Sequence, residues 1–210
     1  MRFQLAAVAA LLFAQSAAAE EANRFTPYAA ARLTFENGDA NQFIFEDGFG
    51  GVGALGVHYR DRWRTELSVS YRSSGVKKIP PVEVDGYFRA WAWLLNAYYH
   101  PFGVDRAVSP YVGLGGGFNH ASVEALATDD AALENPSYAG LGFPKQRYMT
   151  KSWQGKLGVA FQVVPDLYFD LAVAYFVSDD RDVTANFPNN ATVEAAYRSY
   201  SALFGLRAAF

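Results

Sequence analysis

Ser152-Trp153-Gln154-Gly155-Lys156-Leu157-Gly158-Val159-Ala160-Phe161-Gln162-Val163 is the stretch that decides the fold. Trp153, Leu157, Val159, Phe161 and Val163 share one parity, and Ser152, Gln154, Lys156 and Gln162 share the other. Successive side chains of a strand point to opposite faces, so this segment has one apolar and one polar face. Leu167 to Ser178 repeats the pattern, and Trp63 to Arg72 repeats it with Arg64, Glu66 and Arg72 on the polar side. Phe25 to Glu36, Gly48 to Arg60, Pro110 to Ser122 and Val193 to Phe210 follow the same period. Tyr87 to Tyr99 carries aromatics on both parities. There, small Ala90 and Ala92 with Asn96 are assigned inward, leaving Trp91, Trp93, Leu95 and Arg89 outward.

These eight runs predict an all-β fold, an eight-stranded antiparallel up-and-down transmembrane β-barrel, since each run spans the ~9 to 11 residues a tilted membrane strand needs. The connections alternate in length. Asp61-Arg62, Val164-Pro165-Asp166 and His100 to Ser109 are short, whereas Asn37 to Asp47, Ser73 to Gly86, Val123 to Met149 and Asp179 to Thr192 are predicted as longer polar loops. In such barrels the short turns are periplasmic and the long loops extracellular. Phe25, Tyr59, Trp63 and Tyr99 then fall near the periplasmic ends and Phe35, Phe49, Tyr71 and Tyr87 near the outer ends, as two interfacial girdles. A soluble barrel with the apolar face inward is the competing architecture, because periodicity does not say which face is inside.

Composition agrees with a barrel apolar on one side only: the 210 residues are 51% hydrophobic and 16% aromatic, yet mean hydropathy is −0.04. The absence of Cys excludes disulfides, thiolate metal sites and cysteine nucleophiles, and a net charge of −3 offers no basic surface for nucleic acid. Met1-Arg2, an apolar run from Leu5 to Ala14 and Ala17-Ala18-Ala19 read as a signal peptide, residues 1–19, cleaved before a barrel domain of residues 20–210.

The chain ends in Phe210, with Gly205 five positions earlier and apolar residues alternating between them. This resembles the C-terminal signal by which outer-membrane barrels are recognised by their insertion machinery, with a departure at Leu203. Ser109-Pro110-Tyr111-Val112-Gly113-Leu114-Gly115-Gly116-Gly117-Phe118 resembles the Pro-Tyr-x-Gly-x-Gly-x-Gly strand of the opacity and surface-antigen family, small barrels of the class typified by the transmembrane domain of outer-membrane protein A. The resemblance implies the outer membrane of a Gram-negative bacterium. The partners it implies are membrane lipid and lipopolysaccharide, the insertion machinery, and a host or matrix ligand at the extracellular loops.

With the apolar face outward, the lumen receives a charge network of Arg32, Glu36, Arg60, Arg64, Glu66, Arg72, Lys156, Asp170 and Arg207, together with His58. A barrel this narrow is filled by side chains, so these charges are expected to pair as a polar plug, with a narrow channel as the alternative. Gly113, Gly115 and Gly117 share the inward parity and are expected to make room for long Arg side chains. His58 and His100 are expected to lie too far apart to share a metal, and no cofactor is expected. Gly51-Val52-Gly53-Ala54-Leu55-Gly56 matches a dinucleotide fingerprint but sits inside a strand pattern, the wrong context for one.

His120 and Ser122 share an outward face near the extracellular end, where the lipid A 3-O-deacylase family carries a His-x-Ser pair with a downstream Glu. Glu124 and Glu134 are the acids within reach of such a triad. The chain departs from that family at Val123 and Gly117, and no complete catalytic set is present. The expectation is therefore a non-enzymatic surface protein, with a lipid A hydrolase built on His120, Ser122 and Glu134 as the alternative.

Overall fold

The structure is a computed structural model that describes residues 25–40, 43–59, 61–79, 82–104, 106–127, 142–184 and 192–210. The signal peptide, Arg60 and Glu134 lie outside the described residues. The described residues form eleven strands: β1 Phe25–Ala40, β2 Phe43–Phe45, β3 Gly48–Tyr59, β4 Trp63–Ile79, β5 Val82–Tyr99, β6 Val108–Ala127, β7 Gly142–Val164, β8 Leu167–Ser178, β9 Arg181–Thr184, β10 Thr192–Ala195 and β11 Tyr197–Ala209. Eight of them (β1, β3, β4, β5, β6, β7, β8, β11) pair antiparallel in chain order, and β11 closes on β1 from the Tyr28–Ala209 pair to the Ala40–Tyr197 pair. Closure leaves these strands no free edge.

The faces settle which side is inside. Trp153, Leu157, Leu114, Trp93 and Leu33 are exposed, Leu114 by 76%, while Arg64, Glu66, Asp170 and Arg207 are 0–1% exposed. That is the inverse of a soluble barrel, which the apolar outer surface rules out. On β5, Ala90, Ala92 and Asn96 are buried and Trp91, Trp93 and Leu95 exposed, as bulk assigned them. Outer-face rings meet across neighbouring strands: Phe25 with Tyr59 at 4.9 Å and Trp63 with Tyr99 at 5.0 Å at one end, Tyr71 with Trp91 at 5.0 Å and Tyr175 with Tyr200 at 4.8 Å toward the other.

Three expectations need correction. Of the segments expected as loops, Asn37 to Ala40, Phe43 to Phe45, Ser73 to Ile79, Val82 to Gly86, Val123 to Ala127, Gly142 to Met149 and Arg181 to Thr184 are strand: β4 to β7 run 17, 18, 20 and 23 residues, well past the membrane requirement. Beyond the hydrocarbon the outer face meets water and need not be apolar, so the alternation fades while the hydrogen-bond ladder continues. The run Val193 to Phe210 is broken at Ala196, because Thr192–Ala195 pairs with β9 as a separate hairpin. The interior is also not uniformly polar. Val76, Val84, Phe88, Leu94, Val123 and Phe176 cluster with Tyr197 in the outer half.

At the short-turn end of the barrel, the turn between β7 and β8 is closed by Asp166 at φ 65°, a left-handed position that Asp tolerates. The turn between β5 and β6 uses Gly103 at φ 98° and is tied to its neighbour by the Val104 N–H donating to the Asp61 carbonyl at 2.8 Å.

Candidate functional site

The lumen is where alternation concentrates chemistry. Arg32 on β1 donates to both Glu66 oxygens, at 2.8 and 3.1 Å, and its Nη2 also reaches Asp170 Oδ2 at 3.1 Å. The same Asp170 oxygen lies 3.6 Å from Arg207 Nε and 3.7 Å from Arg64 Nη1. Tyr28 and Tyr98 hydroxyls donate to Glu66 at 3.1 and 2.9 Å, and Lys156 donates to the Tyr98 oxygen at 3.1 Å. Further out, Arg72 lies 3.3 Å from Glu36 and donates to Ser199 at 3.0 Å, while the Tyr197 hydroxyl donates to Glu36 at 3.3 Å.

Among the described residues, five buried cations (Arg32, Arg64, Arg72, Lys156, Arg207) face three buried carboxylates (Glu36, Glu66, Asp170). Aromatic faces take up part of the excess. Arg64 has no hydrogen-bond acceptor among the described residues, and its guanidinium lies 4.1 Å from the Tyr98 ring centre and 4.8 Å from that of Tyr111. Arg207 lies 4.3 Å over Tyr168, and Arg72 3.9 Å over Phe176. The ring quadrupole attracts a cation, and more strongly in a desolvated setting. The sequence reading missed these rings. The available signal was Tyr28, Tyr98, Tyr111, Tyr168 and Phe176 on the polar parity, where bulky rings serve no lipid contact.

Glycines thread this network in a way the sequence reading stated incorrectly. Gly113 stands in the row between Tyr98 and Lys156, Gly115 between Asn96 and Gln154, and Gly205 between Arg32 and Asp170. In each row the outer two residues bond across the glycine, including Gln154 donating to Asn96 at 2.9 Å. A Cβ on Gly113 would strike the Tyr98 ring, and one on Gly115 the Asn96 amide. The room at Gly113 and Gly115 is taken by Tyr98 and Asn96 rather than by Arg, and Gly117 faces the Trp93 carbonyl. Of these three rows, the one through Gly205 is the one that an Arg crosses.

His58 and His100 both lie at the short-turn end, with Arg64 in the row between His58 and Tyr98. Each has its own partner. His58 Nε2 accepts from Arg207 at 2.7 Å, since a guanidinium cannot accept. Ser109 Oγ spends its one proton on the Gly103 carbonyl at 2.6 Å, so the 2.7 Å contact with His100 has Nδ1–H donating. In this turn burial, with Arg64 and Arg207 adding repulsion, holds the His100 imidazole down at about 2.

His120, Ser122 and Glu124 project outward from β6 into one groove, which Arg89 and Arg147 also line. Phe210 is exposed, and its N–H donates to the Pro27 carbonyl at 3.0 Å, tying the chain end to β1.

The family model of the Outer membrane protein beta-barrel domain matches residues 5–200. The chain belongs to that family. It is accordingly an outer-membrane β-barrel protein. An "Outer membrane protein" of Gluconacetobacter diazotrophicus is 26% identical over 132 residues, covering 59% of this chain and 33% of that protein, so the chain spans about a third of that relative's length. Similar solved structures include OprG from Pseudomonas aeruginosa (TM-score 0.58, 15% identity, 89% of this chain and 96% of that one) and Neisserial surface protein A (TM-score 0.55, 17% identity, 88% and 97%). At these identities the likeness is one of fold.

Proposed function

We propose that this member of the family is a surface barrel with a side-chain-plugged lumen, acting at its extracellular edge in membrane integrity and in adhesion to a host or matrix partner. The filled interior supports this reading: Arg64, Arg207 and their tyrosines occupy the periplasmic half, and Phe88 stacks on Tyr197 at 4.4 Å in the outer half. A rigid, occupied scaffold leaves binding to its outer segments. Planar-bilayer recording of the purified barrel tests it, with no stable conductance steps expected; discrete steps would replace the plug by a narrow channel. In the cell, a deletion strain is expected to gain detergent sensitivity or lose adhesion. Residues 1–19 as export signal and Gly205 to Phe210 as insertion signal belong to the same proposal.

The second reading is a lipid A hydrolase, favoured by His120 and Ser122 opening into one outward groove. Mass spectrometry of lipid A with and without the protein separates the two, and unchanged acylation is expected.

A further inference from the structure

Outward-facing charge on a membrane barrel is costly unless it lies at the headgroup level. On β5 to β7 it gathers. In one hydrogen-bonded row Arg89 of β5, Ser122 of β6 and Arg147 of β7 lie side by side. The neighbouring row toward the membrane is Tyr71, Trp91, His120 and Met149. Together with Tyr87, Glu124 and Lys145, all of these except Met149 line an outer-surface groove of about 230 Å³. The cations Arg89, Arg147 and Lys145 outnumber the one carboxylate, Glu124. Among the described residues none of the three makes an ion pair, and Arg89 lies only over the Tyr87 ring at 5.4 Å.

Depth fixes what the groove meets. The ten residues from Tyr99 to Arg89, at about 3.3 Å each along a strand tilted about 40°, climb about 25 Å, the height of the apolar band of such a barrel. Arg89 and Arg147 therefore stand where the outer-leaflet hydrocarbon gives way to headgroups. Trp91 and Tyr71 lie just below, suited to the interface. Arg89 and Arg147 are two strands apart, about 10 Å, so their guanidiniums can converge on one phosphate over the Ser122 hydroxyl.

We propose that this groove is a binding site for the phosphorylated headgroup of lipid A, with Arg89 and Arg147 holding a phosphate, Ser122 and His120 adding hydrogen bonds, and Trp91 and Tyr71 packing against the proximal sugar and acyl chains. The site rests on the outer-membrane location and on the strand orientation, not on the plugged lumen or on adhesion, so bilayer recording and adhesion assays can fail without touching it.

The test is native mass spectrometry of the purified barrel in detergent, titrated with bis-phosphorylated lipid A, with the same lipid dephosphorylated, and with inorganic phosphate. The phosphorylated lipid is expected to bind about 10-fold or more tighter than the dephosphorylated one, inorganic phosphate is expected to leave that binding intact at equal concentration, and R89Q/R147Q is expected to abolish the preference while retaining heat-modifiable electrophoretic mobility. Equal binding of the two lipids by the wild-type protein overturns the proposal, and so does a folded R89Q/R147Q barrel that keeps the preference, or displacement of the lipid by inorganic phosphate at equal concentration. The wild-type comparison stands alone, so a variant that fails to fold does not shelter the proposal.

Discussion

Arg32 and Asp170 lie on strands that do not pair with each other, β1 and β8, and bond at 3.1 Å because the residue between them in the row, on β11, is Gly205. Asp170 is thereby the shared counter-charge of Arg32, Arg64 and Arg207. Removing its charge leaves Arg64 and Arg207 without a carboxylate partner in a desolvated interior, and Arg32 with Glu66 alone. Asp170→Asn is expected to cost about 3–5 kcal/mol in urea unfolding of the refolded barrel. The exposed Lys77–Glu46 pair, of similar length at 3.1 Å, is the control. Glu46→Gln is expected to cost less than about 1 kcal/mol, and equal effects at the two sites would refute the desolvation argument.

The glycine rows make a second prediction. Gly115→Leu drives a side chain into the Asn96 amide that Gln154 bonds, and should lower stability by at least about 1–3 kcal/mol or abolish the heat-modifiable folded band. Gly53 faces outward with nothing within 4 Å of a built Cβ, so Gly53→Ala should be neutral or stabilise by up to about 1 kcal/mol. Indifference at Gly115 would show that the row does not need its gap.

The turn between β5 and β6 predicts a pH dependence. In the folded barrel the His100 imidazole is held down at about 2 from its ordinary 6.5. As pH falls below about 6.5 the unfolded chain takes up a proton that the folded turn refuses, so stability contributed by neutral His100 is present above 6.5 and lost progressively below it. The slope contributed is about 1.4 kcal/mol per pH unit. His100→Asn should flatten the acid limb by one proton's worth in urea midpoints measured from pH 7 to pH 4, and an unchanged slope would remove His100 as its source.

The outer half of the lumen predicts a separate effect. Phe88 is 1% exposed and stacks on Tyr197. Phe88→Ala should cost about 3–5 kcal/mol, measured by urea unfolding, while leaving the charged rows around Glu66 and Asp170 closed to conductance. Stable conductance steps in this variant alone would make the apolar cluster, rather than the ion pairs, the seal.

Much of the architecture was legible from alternation. Trp153 to Phe161 tells which side chains share a face, and the charges on Trp63 to Arg72 tell that the polar face is not simply solvated. Hydrocarbon demands an apolar outer surface only within its own thickness, which is why the signal stops near Ser73 and Val123 while β4 and β6 run on to Ile79 and Ala127. The interior positions of Arg32, Glu66 and Asp170 follow from parity, but their pairing does not.

The sequence by itself determined the period, the number of membrane strands and the two faces, because these depend on neighbours along one strand. Only the tertiary structure decided that Arg32 meets Asp170 across Gly205, that Arg64 rests on Tyr98 and Tyr111, and that Arg89 and Arg147 flank Ser122 on the outer wall. Those meetings depend on the register between strands and on the closure of β11 onto β1. A one-residue slip would exchange the two faces of a strand, and a two-residue slip would keep the faces and change every partner.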